Sequence, residues 1–89
     1  MKPIHRYRKF EKNFRVRVRS NPKLVKQFEE RFALFITGYR DTPLNDHALT
    51  GNLAGKRSFS ITGDIRVIYE ETDTTITFID IGTHSQVYK

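Results

Sequence analysis

Residues 47–70, HALTGNLAGKRSFSITGDIRVIYE, form the stretch that decides the fold of this sequence. Two runs rich in β-forming residues, 58–62 and 65–70, lie on either side of Gly63 and Asp64. Glycine reaches the positive φ that a tight turn requires, and aspartate hydrogen-bonds to its own backbone there. The stretch therefore predicts a β-hairpin that follows a glycine-containing loop.

The register of this hairpin determines which side chains share a face. A two-residue loop pairs Ile61 with Arg66 and mixes apolar and charged side chains on both faces. A three-residue loop over residues 62–64 pairs Phe59 with Val67 and separates the two kinds of side chain, so we predict this loop although turn statistics favour the shorter one. It places Phe59, Ile61, Ile65, Val67 and Tyr69 toward the core and leaves Ser60, Arg66 and Glu70 on the open face.

Two helices are predicted ahead of the hairpin. In the first, Phe10, Phe14 and Val18 recur every four residues, and Glu11 suits the positive end of the helix dipole. The alternation of residues 14–19 between apolar residues and arginine also fits a strand. We predict a helix because the four-residue stripe is longer.

The second helix is predicted to start at Asn21 and Pro22, since asparagine caps helices and proline is tolerated at the first helical position. An apolar stripe then recurs every three or four residues, and Gly38 is expected to end the helix in a left-handed conformation. The stripe consists of Leu24, Phe28, Phe32, Phe35 and Tyr39. Packing of this stripe on a sheet explains it better than an aromatic ligand site does.

The remaining segments complete the predicted architecture. Residues 4–8 indicate a short N-terminal strand, residues 41–45 a turn and residues 75–82 a third strand of the hairpin sheet. We therefore predict an α+β fold with a short N-terminal strand and two helices packed on one face of a mostly antiparallel sheet. The 89 residues are expected to form a single domain, residues 1–89.

Charge is distributed unevenly along the chain. The net charge is +6, but residues 1–40 carry twelve Lys and Arg against three acids, a balance of +9, whereas residues 41–89 carry four against seven, a balance of −3. A concentrated positive field attracts polyanions, which favours binding to nucleic acid or ribosomes over a purely solubilising surface.

Composition excludes several other classes of protein. Cysteine is absent, which excludes disulfides, thiolate catalysis and the common structural zinc sites. No apolar run is long enough to span a membrane, and the N-terminal MKPIHRYRKF lacks the apolar core of a signal peptide. We therefore expect a cytoplasmic protein that does not bind a membrane.

Several motifs resemble a known protein family. They are DHALTGNLAGKR at residues 46–57, then Ile61, Asp64 and the pair Ile68 and Tyr69, and the terminal THSQVY at residues 83–88. In these residues the chain resembles the YafQ-like branch of the RelE/ParE superfamily of toxins from bacterial toxin-antitoxin systems. The resemblance implies a RelE/ParE-like fold, a cognate antitoxin, and cleavage of messenger RNA on the ribosome without a metal or a small-molecule cofactor.

The resemblance also implies the residues of an active site. The family's catalytic positions correspond to His47, Asp64, His84 and Tyr88, and the expected substrate or phosphate contacts are Lys56, Arg57, Ser60 and Arg66. Ser60 is a departure, because the family has histidine at this position. Asp64 also has a purely structural interpretation, since aspartate commonly hydrogen-bonds to the backbone of a turn.

The chemistry of RNA cleavage calls for proton carriers and cations of this kind, independently of the resemblance to the family. A base must take the proton of the 2′-OH, an acid must protonate the leaving 5′ oxygen, and cations must hold the charge that builds on the phosphate. Histidine exchanges protons near neutral pH, and both His47 and His84 stand beside a group expected to fix the tautomer, Asp46 and Ser85 respectively. No pair of metal ligands shows helical or turn spacing, so no metal site is predicted.

Ser60 leaves the acid–base assignment open, because serine does not exchange a proton near neutral pH. Either His47 and His84 form the pair, or Tyr88 and Arg66 take over part of the work, or the enzyme is slow. The predicted function is an endoribonuclease toxin. The alternative is a non-catalytic protein of the same fold that binds nucleic acid, or a protein target as the gyrase-directed branch does, without cleaving RNA.

Overall fold

The computed structural model describes residues 2–88, which form a five-stranded sheet with two long helices. The strands are β1 (Ile4–Arg6), β2 (His47–Ala48), β3 (Arg57–Ser60), β4 (Ile65–Glu71) and β5 (Ile76–Thr83). The helices are α1 (Arg8–Arg17), α2 (Pro22–Phe35) and a short α3 (His84–Val87), and Gly51–Leu53 forms a turn of 3-10 helix. The strand order is β1-β5-β4-β3-β2; β1 is parallel to β5 and the other pairs are antiparallel. The predicted α+β architecture is confirmed.

The hairpin between β3 and β4 has the predicted three-residue loop. The predicted positive φ at Gly63 is wrong, and Thr62 Oγ1 rather than the Asp64 side chain accepts from the turn, from the N–H groups of Asp64 (3.1 Å) and Ile65 (2.9 Å). Phe59 pairs with Val67, and Ser60 pairs with Arg66. A slip of one residue would turn the whole apolar face to the other side of the sheet, so burial outweighs the statistical preference for a shorter turn.

The core lies between this apolar face and the helices. Phe59, Val67 and Tyr69 are completely buried, and the Phe35 ring from α2 stacks on Phe59 with 4.4 Å between centroids. Leu44, in the turn after α2, is also completely buried. The burial of Leu44 was not predicted, because an isolated leucine among turn residues carries no periodic pattern.

Helix α2 starts where it was predicted to start but ends earlier. The Asn21 side chain accepts hydrogen bonds from two backbone N–H groups of the first turn. The helix ends at Phe35, and Tyr39, predicted to continue the stripe, is 40% exposed. The Arg40 guanidinium donates to the Phe35 carbonyl (2.8 Å) and satisfies this helix end, while Gly38 adopts the predicted left-handed conformation with φ of 93°.

The face of the sheet opposite the helices is less open than predicted. Ser58 and Ile68 alternate away from the core, yet each is only 1% exposed. Helix α3 contacts β4 and β5, and the following Tyr88 lies near Arg66 on this side.

The short elements β2 and α3 and the 3-10 turn were not predicted, since none is long enough to show a repeat. Within residues 2–88, no helix has the length and apolarity needed to cross a membrane.

Candidate active site

An open cleft of about 370 Å³ lies where β2, β4 and α3 approach one another. Its lining residues are His47, Ala48, Leu49, Thr50, Arg66, His84 and Tyr88. The fold thus brings together four of the residues predicted from the sequence: His47, Arg66, His84 and Tyr88. These four come from three separate parts of the chain: β2, β4 and the segment of α3 with its C-cap.

Helix α3 sets the positions of His84 and Tyr88. Its N-terminus has a capping box in which the Gln86 N–H donates to Thr83 Oγ1 (3.3 Å) and the Thr83 N–H donates to Gln86 Oε1 (2.8 Å). The Tyr88 N–H then donates to the His84 carbonyl at 3.0 Å. One helical turn therefore separates the two rings, which meet edge to face with 4.5 Å between centroids.

Arg66 on β4 contacts both of these rings. Its Nη1 lies 3.5 Å from His84 Nδ1, and its Cζ lies 5.7 Å from the centroid of the Tyr88 ring. A guanidinium has only donors, so His84 Nδ1 is the acceptor in this contact. The prediction that Ser85 fixes the His84 tautomer is wrong, because Arg66 occupies the position beside Nδ1.

Two polar atoms at this cleft are buried without a partner. Within residues 2–88, neither Arg66 Nε nor the Tyr88 hydroxyl makes a hydrogen bond. A buried polar group that lacks a partner costs about 1–3 kcal/mol, so most such groups in folded proteins are satisfied. Because both atoms are buried, a ligand in the cleft can reach them only if the side chains of Arg66 and Tyr88 move.

His47 reaches the cleft from the short edge strand β2. Its Nδ1 lies 3.0 Å from the Asn45 carbonyl oxygen, which can only accept, so Nδ1 carries a proton and Nε2 is left for the cleft. Asn45 adopts a left-handed conformation with φ of 47° that directs this carbonyl. The prediction that Asp46 orients the His47 ring is therefore wrong.

The Asp46 carboxylate instead anchors β2 to the sheet. Its side chain is fully buried and accepts a hydrogen bond from Arg57 Nε (2.7 Å) and another from the Tyr69 hydroxyl, while Arg40 Nε lies 3.8 Å away. Burial, followed by the hydrogen bond to Asp46, raises the pKa of Tyr69 well above its usual value. The bond to Asp46 likewise raises the pKa of Arg57. Asp46 thus fixes the backbone immediately before His47.

The other predicted site residues lie outside the cleft lining. Asp64 is exposed at the hairpin tip, where its backbone N–H donates to Thr62 Oγ1 (3.1 Å). Arg57 is engaged by Asp46, and Lys56 lies in the preceding loop. Ser60 is partly buried on β3, between β2 and β4, where it pairs with Arg66 without lining the cleft.

Leu49 and Thr50 also line the cleft and were not predicted to do so; their position just after His47 is the one signal that the sequence offers. For metals, no group of three or more His, Asp or Glu side chains within residues 2–88 is arranged to bind an ion.

One family model matches the sequence of this chain, and several solved structures have a similar fold. The sequence model of the family described as "Bacterial toxin of type II toxin-antitoxin system, YafQ" matches residues 2–89. The fold is similar to that of YafQ from E. coli strain BL21(DE3), at 21% identity and a TM-score of 0.84 over 100% of both chains. It is also similar to the E. coli DinJ-YafQ complex, at 22% identity and a TM-score of 0.82 over 100% of both chains. A metal-bound toxin from Helicobacter pylori shares 24% identity and a TM-score of 0.79 over 98% of this chain and 99% of that one. No curated protein sequence is significantly similar.

Proposed function

This chain belongs to the YafQ family of toxins from bacterial type II toxin-antitoxin systems, and from this membership we propose that it is a metal-independent endoribonuclease that cuts messenger RNA on the ribosome. The observation that carries the proposal is the meeting of two histidines, an arginine and a tyrosine around one open cleft. These are the groups that RNA cleavage requires: two proton carriers, a cation and a surface for a base.

The proposed reaction breaks the bond between phosphorus and the 5′ oxygen. The base removes the proton from the 2′-OH, and the 2′ oxygen attacks the adjacent phosphorus. The acid then gives a proton to the departing 5′ oxygen. The products are a 2′,3′-cyclic phosphate and a 5′-OH, and the two histidines finish with exchanged protonation states.

Hydrogen bonding suggests which histidine plays which part. The contact between Arg66 Nη1 and His84 Nδ1 needs an Nδ1 without a proton, so the ring proton of His84 lies on Nε2 and the lone pair is at Nδ1. As the base, His84 therefore takes the proton of the 2′-OH at Nδ1, where the 2′-OH replaces the 3.5 Å contact with Arg66. The Nδ1–H of His47 donates to the Asn45 carbonyl whether or not the ring is charged, so His47 can start as the acid and deliver a proton from Nε2. We assign His84 as the base and His47 as the acid.

Arg66 and Tyr88 hold the substrate in this proposal. Arg66 lines the cleft and forms no ion pair within residues 2–88, so its guanidinium can bind a phosphate oxygen there. The ring of Tyr88 offers a surface for one RNA base, an interaction worth about 1–3 kcal/mol. Asp64, Lys56, Arg57 and Ser60 remain candidates for contacts with RNA that extends beyond the cleft.

The proposed binding partners are an antitoxin, which follows from the toxin family, and RNA, which follows from the positive charge of the chain. The E. coli relative forms a complex with DinJ, and we propose that this chain is likewise neutralised by a cognate antitoxin. The balance of +9 over residues 1–40 supports binding to ribosomal and messenger RNA in the cytoplasm.

A second candidate function is binding of nucleic acid or a protein target without cleavage. Ser60 favours it, because the resemblance to the family leads us to expect histidine at this position and a serine hydroxyl does not exchange protons near pH 7. The two functions differ in whether RNA is cut.

Inducible expression in a bacterium, followed by primer extension on a reporter transcript, separates the two functions. We expect discrete in-frame cuts with the wild-type chain and none with the His84→Gln variant. Growth arrest with intact RNA would instead support the non-catalytic function. Purified protein, incubated with the same transcript with and without ribosomes, then tests the dependence on ribosomes.

A further inference from the structure

A second concave surface lies along β1, the sheet edge opposite β2. Three depressions of about 130, 300 and 230 Å³ follow one another beside α2 and β1. Arg6 and Phe28 line both the first and the second, and Ile4 lines both the second and the third. The three therefore form one continuous channel, which we call the aromatic groove.

Phenylalanine rings form much of the wall of the aromatic groove. Phe14, Phe28 and Phe32 are only partly buried, and they touch in series, with 4.9 Å between the centroids of Phe14 and Phe28 and 5.8 Å between those of Phe28 and Phe32. Contiguous apolar surface that a single chain leaves uncovered is typical of a protein interaction site. Aromatic residues are also enriched at the centre of such interfaces.

The backbone of β1 adds unpaired hydrogen-bonding groups. The Ile76 N–H donates to the Pro3 carbonyl (3.0 Å), and the Tyr7 N–H donates to the Phe78 carbonyl (2.9 Å). In a parallel ladder alternate residues face the partner strand, so the N–H and C=O groups of Ile4 and Arg6 point away from β5. A free strand edge beside an apolar groove suits a peptide segment better than it suits a nucleic acid.

The charges around the aromatic groove identify the occupant's chemistry. Lys2 is already paired with Glu71 at 2.7 Å. Arg6, Arg19 and Glu11 line the first depression, which leaves one net positive charge there, and within residues 2–88 neither arginine makes an ion pair or a side-chain hydrogen bond. A bound segment that carried carboxylates beside its apolar side chains would satisfy both guanidinium groups.

We propose that the aromatic groove binds a segment of the cognate antitoxin in which apolar side chains are flanked by Asp or Glu. This inference rests on the antitoxin partner assigned under the proposed function. None of the groove's lining residues belongs to the cleft that holds His47 and His84. The antitoxin segment is therefore held at a surface separate from the proposed catalytic groups.

Titration calorimetry with the purified antitoxin encoded in the same operon tests the proposal. Arg6→Glu and Arg19→Glu should each raise the antitoxin Kd at least about tenfold, because each places a carboxylate against the acidic segment. Arg15→Glu is the matched control, since it makes the same change of charge at an exposed position of α1 outside the groove. It should change Kd by less than about threefold.

Equal effects of all three charge reversals, or no effect of any, would overturn the proposal. A second measurement, hydrogen exchange of the complex, should show protection at residues 4–6 and along α2, and protection confined to the cleft would also overturn it. His84→Gln should keep the wild-type Kd while losing cleavage. The two proposals can fail separately. If the wild type does not cut RNA but Arg6→Glu and Arg19→Glu still weaken antitoxin binding, the endoribonuclease function is wrong and antitoxin binding in the aromatic groove is supported.

Discussion

At the residue scale, Arg66 and Arg57 have different surroundings although both were predicted to contact phosphate. Arg57 donates through Nε to the buried Asp46, whereas Arg66 has an Nε without a partner in residues 2–88 and a loose 3.5 Å contact with His84. Arg57 is paired with a buried carboxylate and therefore contributes to structure. Arg66 lines the cleft and forms no ion pair within residues 2–88, so its guanidinium is available to a phosphate.

Exchange of each arginine for glutamine tests this difference. Arg66→Gln should lower the cleavage rate at least about tenfold, or 1.4 kcal/mol of transition-state stabilisation, and leave the thermal midpoint near that of the wild type. Arg57→Gln should lower the thermal midpoint instead, because it removes the partner of Asp46. If Arg66→Gln unfolds early and still cleaves at the wild-type rate, Arg66 is structural.

Asp46 is expected to stabilise the fold more than any exposed acid. Asp46→Asn removes a fully buried carboxylate that accepts from Arg57 and Tyr69, and should lower the free energy of unfolding by about 2 kcal/mol or more in denaturant titrations. Arg57 is 41% exposed, so its guanidinium can hydrogen-bond to water once the carboxylate is removed. The loss in unfolding free energy should therefore be small for the breaking of a buried ion pair. The control Asp73→Asn, in the exposed turn after β4, should change it by less than about 0.5 kcal/mol. Equal effects of both substitutions would contradict the anchoring role.

At the scale of elements, α3 depends on a close approach to β5. A Cβ at Gly82 would lie 2.6 Å from both Arg17 Nη1 and Gln86 Oε1. Arg17 donates to the Ile81 carbonyl (2.8 Å), and Gln86 completes the capping box of α3. Both atoms are ends of flexible side chains, so an added Cβ would displace them and break these two hydrogen bonds, while Gln86 Cβ, 3.1 Å away, would have to move together with α3.

Gly82→Ala should therefore displace α3 and weaken activity more than stability. We expect a loss of about 1 kcal/mol in unfolding free energy, from the broken cap, together with a fall in cleavage of at least about tenfold. Gly63→Ala is the control, because nothing lies within 4 Å of its added Cβ. Unchanged cleavage by Gly82→Ala would show that the position of α3 is not critical.

The hairpin places Ser60 opposite Arg66, next to the proposed site. Ser60→His adds a proton carrier at the position where the family pattern has one, and we expect a higher cleavage rate than that of the wild type. It should also partly rescue whichever histidine variant it can replace. A Ser60→Ala variant controls for loss of the hydroxyl. Equal rates in the wild type and in both variants would mean that this position plays no part in cleavage.

At the scale of the whole molecule, much of the architecture follows from repeated patterns in the sequence. Features that depend on periodicity or on a local hydrogen bond could be predicted from the sequence. They are the stripe of Phe10 and Phe14, the cap at Asn21 and the hairpin register. The end of α2 was placed too late, since the Arg40 side chain that satisfies the Phe35 carbonyl lies beyond the helix.

The residues of the candidate site could be predicted from the sequence only in part, for a related reason. Both histidines could be identified from residue type, but their hydrogen-bond partners could not. Asp46 was expected to serve its neighbour His47 and instead binds Arg57, which is adjacent to it only in the folded sheet. Likewise, the contact of Arg66 with His84 depends on the approach of α3 to β4, which no local pattern predicts.

The central claim is that His84 and His47 are the base and the acid of RNA cleavage, and single-turnover rates measured against pH test it most directly. The wild type should give a bell-shaped profile, because the reaction needs a deprotonated base and a protonated acid. His84→Gln should lower the rate and lose the limb that rises with pH, and His47→Gln should lose the limb that falls. Full activity with an unchanged profile in the double variant would contradict the histidine mechanism and leave Tyr88 and Arg66 as the catalytic groups.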